Sequence, residues 1–161
     1  MLQFDELVLL AKQYCTNGDP IADETSTPKA IRLSAMDLRI VCENLHRNEK
    51  TYFDLLSCVT AVDNGPSANT MEVIYNLYSI PFDQHLALKV VLPREKPEVP
   101  SVFSIWKTAD WHEREAFDMF GIKFTGHPDL RRILMPADWE GFPLRKDYKQ
   151  QAYYRNIKLD Y

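Results

Sequence analysis

The chain has 161 residues, 45% hydrophobic and 26% charged, with a formal net charge of −4. That is enough chain to bury a core, and the composition excludes general disorder. Nothing in the total charge points to nucleic acid. The charge is unevenly placed, however: five basic and two acidic residues between positions 141 and 161 give +3 there and leave −7 on the rest. A basic tail on an acidic body places the two ends in different surroundings.

Cys15, Cys42 and Cys58 stand far apart with no CxxC, which fits reduced thiols and supplies no metal or iron–sulfur ligand set. The apolar run at 7–11 follows Asp5 and Glu6 and precedes no small-residue cleavage site, so it does not read as a signal peptide. No apolar run approaches bilayer-spanning length.

In chain order, Phe4, Leu7, Val8, Ala11 and Tyr14 recur at helical spacing and predict an amphipathic helix over 2–14. Gly18, Pro20 and Pro28 mark 16–28 as a loop, and 30–33 reads as a short strand. Ser34 is an N-cap, with Asp37 as a short-armed capping-box partner. The helix it opens is expected to bury Met36, Ile40, Val41 and Leu45 and to end near Arg47.

Three strands follow at 52–62, 71–80 and 85–92, the latter two alternating apolar and polar residues. The short turn between those two makes an antiparallel hairpin, and the longer loop before Met71 permits the first strand to join as a meander. The fold class is α+β: a small, mostly antiparallel sheet of about four strands packed by helices. This domain covers 1–135, and 136–161 reads as an extended C-terminal arm that orders on a partner.

Residues 111–134, WHEREAFDMFGIKFTGHPDLRRIL, form the most informative stretch. A helix carrying several charges among Phe117, Met119 and Phe120 stops at Gly121, where glycine takes the left-handed C′ conformation without steric penalty. The turn at Gly126-His127-Pro128 leads to Arg131 and Arg132.

Several chemistries fit this stretch in part. His112-Glu113 opens like HExxH, but Ala116 occupies the second histidine position, so a zinc-protease reading fails. Glu115 and Asp118 could share a divalent ion with His112 or His127, or Arg114 could neutralise Asp110 and Asp118 four residues to either side. A carboxylate buried beside Phe117 or Phe120 would have a raised pKa and could shuttle protons, although a paired structural carboxylate explains the same residues. The scattered glycines form no phosphate loop. Pro143-Leu144-Arg145-Lys146-Asp147-Tyr148 reads either as a solvated loop or as a segment docking on an acidic groove. No catalytic constellation survives, and residue chemistry favours an interaction subunit.

Glu113-Arg114-Glu115, then Asp118, His127, Arg131 and Ile133-Leu134, resembles throughout the signature of the 30 kDa-type (C-type) subunit of respiratory complex I, the NADH:quinone oxidoreductase. GFPLRKDY resembles that family's GHPLRKDY-type motif, with Phe142 where that version carries histidine. The resemblance spans about 30–150. It implies a peripheral-arm subunit with no catalytic residue, cofactor or metal of its own. FMN and iron–sulfur clusters would sit in partner subunits, and quinone in neighbouring ones. It implies packing on the complex I subunit that forms the quinone site, beside iron–sulfur subunits of the arm. Membrane association would be indirect, at the cytoplasmic face of a bacterial inner membrane.

On that resemblance the structural and partner-binding residues are Glu113, Arg114, Glu115, Asp118, Gly121, His127, Pro128 and Arg131, followed by Pro143, Leu144, Arg145, Lys146, Asp147 and Tyr148. Arg114 is expected to pair the acids of its helix. Two other readings stand beside this one: the equivalent subunit of a membrane-bound hydrogenase or other-donor dehydrogenase, and a free-standing metal enzyme using His112, Glu115 and Asp118.

Overall fold

The computed structural model describes residues 2–159; Met1, Asp160 and Tyr161, and with them the last two positions of the predicted arm, lie outside the described residues. Helix α1, Phe4–Tyr14, begins where Glu6 Oε2 accepts the Gln3 backbone N–H at 2.7 Å. Leu7 and Ala11 are its buried positions, with Phe4, Val8 and Tyr14 packed partly against the core. A short strand β1, Ile21–Asp23, then lies antiparallel on β2, Ala30–Leu33, inside the stretch expected to be loop. Three residues are too few for an alternation to register in sequence, and the pairing with β2 supplies what local pattern lacks.

Helix α2, Ala35–Arg47, starts at Ser34, whose Oγ accepts the Met36 N–H at 3.4 Å. Its buried stripe is Leu38, Val41, Cys42 and Leu45, while Met36 is 75% and Ile40 43% exposed. The expected inward face was therefore wrong by a fraction of a turn. Apolar residues flank both sides of Val41, and periodicity alone does not set the phase. Asp37 does not close a capping box either. It is buried and accepts the backbone N–H groups of Thr16 and Asn17 at 3.0 and 2.9 Å, tying the turn after α1 to α2.

The meander consists of β3, Leu55–Asp63, β4, Thr70–Ser79, and β5, Gln84–Pro93. Adjacent members pair antiparallel, and β5 also pairs parallel with β2. The sheet order is β1-β2-β5-β4-β3, so the sheet is five-stranded and mixed, where about four mostly antiparallel strands were expected. The parallel pair arises because α2 carries the chain from β2 across to β3, and the meander then returns to β2. Met71, Val73, Tyr75 and Leu77 of β4 and Leu86, Leu88, Val90 and Leu92 of β5 point into the core, as their alternation predicts. A register shift between Leu56 and Cys58 bends β3.

Beyond this sheet, β6, Glu98–Pro100, and β7, Lys123–Thr125, form a parallel pair joined through helix α3, Ala109–Phe120. Thr108 Oγ1 donates to the Leu56 carbonyl at 3.2 Å, fixing the start of α3 beside β3. Gly121, at φ +75°, stops it, with its N–H on the Phe117 carbonyl at 2.8 Å. A final hairpin, β8, Tyr153–Tyr154, and β9, Ile157–Lys158, turns through Arg155 and Asn156, both at positive φ as a tight type I′ turn requires. No helix among the described residues is long and apolar enough to cross a membrane.

Candidate functional site: a charged helix and the loops it holds

Helix α3 buries Glu113, Arg114 and Asp118 along with Ala109, Ala116 and Met119. Buried charge is costly unless each group meets partners, so the fate of each side chain defines what the helix does.

Glu113 points toward the turn that follows β6. Its Oε1 accepts the Val102 N–H at 2.8 Å, and its Oε2 accepts the Ser101 hydroxyl at 2.6 Å. Burial pushes the Glu113 carboxyl up to about 7, with the Ser101 and Val102 hydrogen bonds opposing and the Asp110 charge adding to the rise. His127 sits beside it with its side chain fully enclosed, Nε2 lying 3.3 Å from Asp110 Oδ1 and 3.9 Å from Glu113 Oε2. His127 Nδ1 accepts the Asp129 N–H at 3.1 Å, which places the ring proton of the neutral imidazole on Nε2, facing the two carboxylates.

Asp118 serves the other end of the helix. Its Oδ2 accepts three successive backbone N–H groups, from Ile133, Leu134 and Met135 at 3.0, 2.7 and 2.9 Å, and its Oδ1 pairs with Arg132 Nη1 at 2.8 Å. Burial pushes this carboxyl upward, but these donors outweigh it and hold the group below the ordinary carboxylate value. With both oxygens filled by N–H donors, Asp118 offers no open face to a divalent ion. Among the described residues no group of three His, Cys, Asp or Glu is placed to hold a metal.

Arg114 takes neither expected acid. Its Nε donates to the Arg131 carbonyl at 3.3 Å, and its guanidinium lies over the Trp111 ring at 5.3 Å. Asp118 is met instead by Arg132 and Glu113 by Ser101, while Asp110 lies beside His127. Glu115 is exposed on the side of the helix nearest β3. Arg131 reaches outward to Asp129 at 2.9 Å, with both side chains largely in solvent, and Pro128 is exposed beside them.

The C-terminal motif docks on the end of the same helix. A helix leaves its last carbonyls without intrahelical donors. Here the Leu144 N–H bonds to the Met119 carbonyl at 3.1 Å, and Arg145 Nε bonds to the Phe120 carbonyl at 2.6 Å. A guanidinium at the negative end of the helix dipole is favourable as well. Phe142 lies so close to Gly121 that a Cβ there would come within 2.5 Å of its ring and 2.8 Å of Arg145 Nη2.

Further along, Asp63 at the end of β3 is 3% exposed and accepts the backbone N–H of Lys146 at 2.8 Å and of Gly65 at 2.9 Å. It is bidentate with Arg94, from Nε at 2.9 Å and Nη2 at 3.1 Å, and Arg94 continues to Asp147. The Arg94 hydrogen bonds hold the Asp63 carboxyl well below the usual carboxylate range. The Tyr148 hydroxyl accepts from Trp139 Nε1 at 3.0 Å. The two sequence motifs therefore meet at the C-terminus of α3.

Four contributors were missed from sequence: Ser101, Arg132, Asp63 and Arg94. Arg132 carried a usable signal, because of two adjacent arginines in an extended segment only one can face the helix. Asp63 reads as an ordinary turn acid, and Arg94 as a solvated charge among prolines, so neither carries a signal of its own.

This arrangement defines an α+β module in which the buried carboxylates of one helix hold the loops around it. The chain belongs to the family described as the 30 kDa subunit of respiratory-chain NADH dehydrogenase, whose model matches residues 31–154. It is 50% identical over 148 residues to the C-type subunit of NADH-quinone oxidoreductase from Chloroherpeton thalassium, covering 89% of this chain and 61% of that protein. Against the C-type subunit of Chlorobium phaeobacteroides it is 51% identical over 113 residues, covering 70% of this chain and 68% of that one. The second C-type subunit of Rhizobium etli is 47% identical over 139 residues, covering 84% and 73%.

Among solved structures, the trypsin-resistant fragment of Nqo5 superposes with a TM-score of 0.54 at 29% identity, covering 63% of this chain and 82% of that one. A chain of the membrane-bound sulfane sulfur reductase, an archaeal respiratory membrane complex, superposes with a TM-score of 0.73 at 25% identity, covering 92% and 87%.

Proposed function

We propose that this chain is a non-redox, peripheral-arm subunit of a proton-translocating NADH:quinone oxidoreductase, docking on the subunit that forms the quinone site and supporting assembly. In that reading electrons pass from NADH through FMN and iron–sulfur centres held by other subunits to a quinone, and this chain catalyses no step. It is held at the cytoplasmic face of the inner membrane through its partners. Family membership across 31–154 supports the assignment. One geometric observation carries the structural role. The buried acids of α3 are satisfied by the loops around them, so the helix acts as a frame. What those loops leave outward is Arg131 together with Leu134 and Leu144, 61% and 53% exposed. Apolar side chains with an accessible arginine suit a protein partner.

Glu113, Asp118, Gly121 and His127 thus position the docking loops, whereas Arg131, Pro128, Leu144, Lys146 and the exposed Glu115 meet the partner. The test is affinity purification of the tagged chain from mildly solubilised native membranes, with mass spectrometry and an NADH:quinone assay. Co-purification of a quinone-pocket subunit with flavin and iron–sulfur subunits is expected. The likeness to the sulfane sulfur reductase chain favours a second reading, the equivalent subunit of another respiratory membrane complex. That reading takes over if quinone-site-like and iron–sulfur subunits co-purify without a flavin subunit. Recovery of the chain alone would sink both.

A further inference from the structure

Two buried polar atoms, Asp110 Oδ1 at the start of α3 and His127 Nε2 in the turn after β7, form no hydrogen bond of good geometry, although they face each other at 3.3 Å. They flank Glu113, whose side chain has no exposure and, among the described residues, no lysine or arginine within pairing distance. The groups around it come from every packed element: Asp110 on its own helix, Cys42 on α2, Tyr75 on β4, Ser101 and Val102 after β6, and His127 after β7. Lys107 is held away from the cluster, over the outer Phe103 ring at 3.8 Å, while Phe103 itself tilts against His127. Asp129 reaches the imidazole only through its backbone N–H. The surroundings of Glu113 are therefore neutral or acidic, the reverse of those of Asp118.

We propose that Asp110, Glu113 and His127 form a buried proton-binding site whose exchangeable proton resides on Glu113 and sets the position of the turn carrying His127.

Hydrogen bonding decides where that proton goes. Glu113 Oε1 faces the Val102 N–H, a donor, so it cannot carry a proton toward that partner. The Oε2 atom faces the Ser101 hydroxyl, which accepts as readily as it donates. His127 Nδ1 is engaged as an acceptor by Asp129, so a proton placed there would break a bond already made. With the proton on Glu113 Oε2, Ser101 accepts it and His127 Nε2–H points to Asp110. When the proton leaves to solvent, Ser101 donates back, and the same Nε2–H is drawn toward the new charge on Glu113. The ring shifts between two carboxylates, and the turn from Gly126 to Asp129 moves with it.

The site is read by NMR titration of the full chain, following the Glu113 side-chain carboxyl carbon, the His127 ring nitrogens and the Asp129 amide. The expected result is one shared step, centred near the value of about 7 that burial gives Glu113, with Nδ1 remaining an acceptor throughout. Asp110→Asn, which removes the neighbouring like charge, is expected to shift that step to lower pH. Glu113→Gln is expected to abolish the step at His127 and Asp129, and if this variant does not fold, the wild-type and Asp110→Asn titrations decide alone. A Glu113 carboxyl that titrates in the ordinary carboxylate range overturns the proposal. So does protonation of His127 Nδ1 during the step, or a step unmoved by Asp110→Asn.

Discussion

The two ends of α3 bury a carboxylate each and treat it in opposite ways. Asp118 meets a guanidinium and three consecutive backbone N–H groups. Glu113 meets one hydroxyl and one backbone N–H, beside a second acid. Neither side chain is exposed, yet Asp118 is held below the ordinary carboxylate value and Glu113 is lifted to about 7. The number and charge of the donors decide the outcome, not depth alone. One end is a fixed anchor for the 132–135 segment; the other is a titratable contact to the 101–102 and 127–129 turns.

The sharpest way to break that contrast is Asp118→Ala. It strands Arg132 and three backbone N–H groups, and the expected loss is about 3–5 kcal/mol, read from the urea midpoint. A loss under about 1 kcal/mol would mean that the segment holds itself in place without this anchor.

Next in size comes the pH dependence, where the two ends differ in sign. Glu113, raised from 4.5 to about 7, binds more protons folded than unfolded across that window. Its stabilising share is complete below its unfolded value and is lost as pH rises through about 7, a change of about 3 kcal/mol at most. Asp118 and Asp63, both lowered, contribute above their unfolded value and lose that share as pH falls through the folded one. Denaturant curves from acid to mildly alkaline pH should show the falling limb toward neutral pH disappear in Glu113→Gln while the acid limb persists.

Arg94→Ala removes the bidentate partner of Asp63 and the link to Asp147. A loss of about 2 kcal/mol is expected, with faster proteolysis near Lys146 as the second readout. Gly121→Ala should cost about 1–2 kcal/mol from the left-handed backbone alone. It should also displace Phe142 and Arg145, so weaker protection of the Leu144 amide would accompany the shift in midpoint. Smallest is Glu115→Ala, expected within about 0.5 kcal/mol because the side chain is exposed. If that variant folds normally but no longer co-purifies with partners, the division between framing and docking residues on α3 is sharpened.

Much of this fold is legible from local pattern. The β4–β5 hairpin, α1, the start of α2 at Ser34 and the stop of α3 at Gly121 each follow from alternation, periodicity, a cap or a glycine, and each reappears in place. The phase of α2 did not follow, because Met36 and Ile40 extend its apolar stripe on the side that happens to face solvent. Strand β1 was invisible for want of length. At the site, the signature residues were visible, but their pairing was not: Arg114 stood four residues from two acids and bonds to neither.

What the sequence by itself determined is the longer elements, α1, α2, the β3–β5 meander and α3, and the presence of too much charge on one helix for an ordinary surface. Those depend on neighbours within a turn or two of chain, where steric and solvation preferences act directly. Tertiary structure alone decided that β5 lies between β2 and β4, that Arg132 rather than Arg114 neutralises Asp118, and that Asp63 and Arg94 seat the segment around Lys146. Each of those is a contact between residues far apart in the chain. Which donor reaches a buried carboxylate depends on how the elements pack, and no local spacing encodes that.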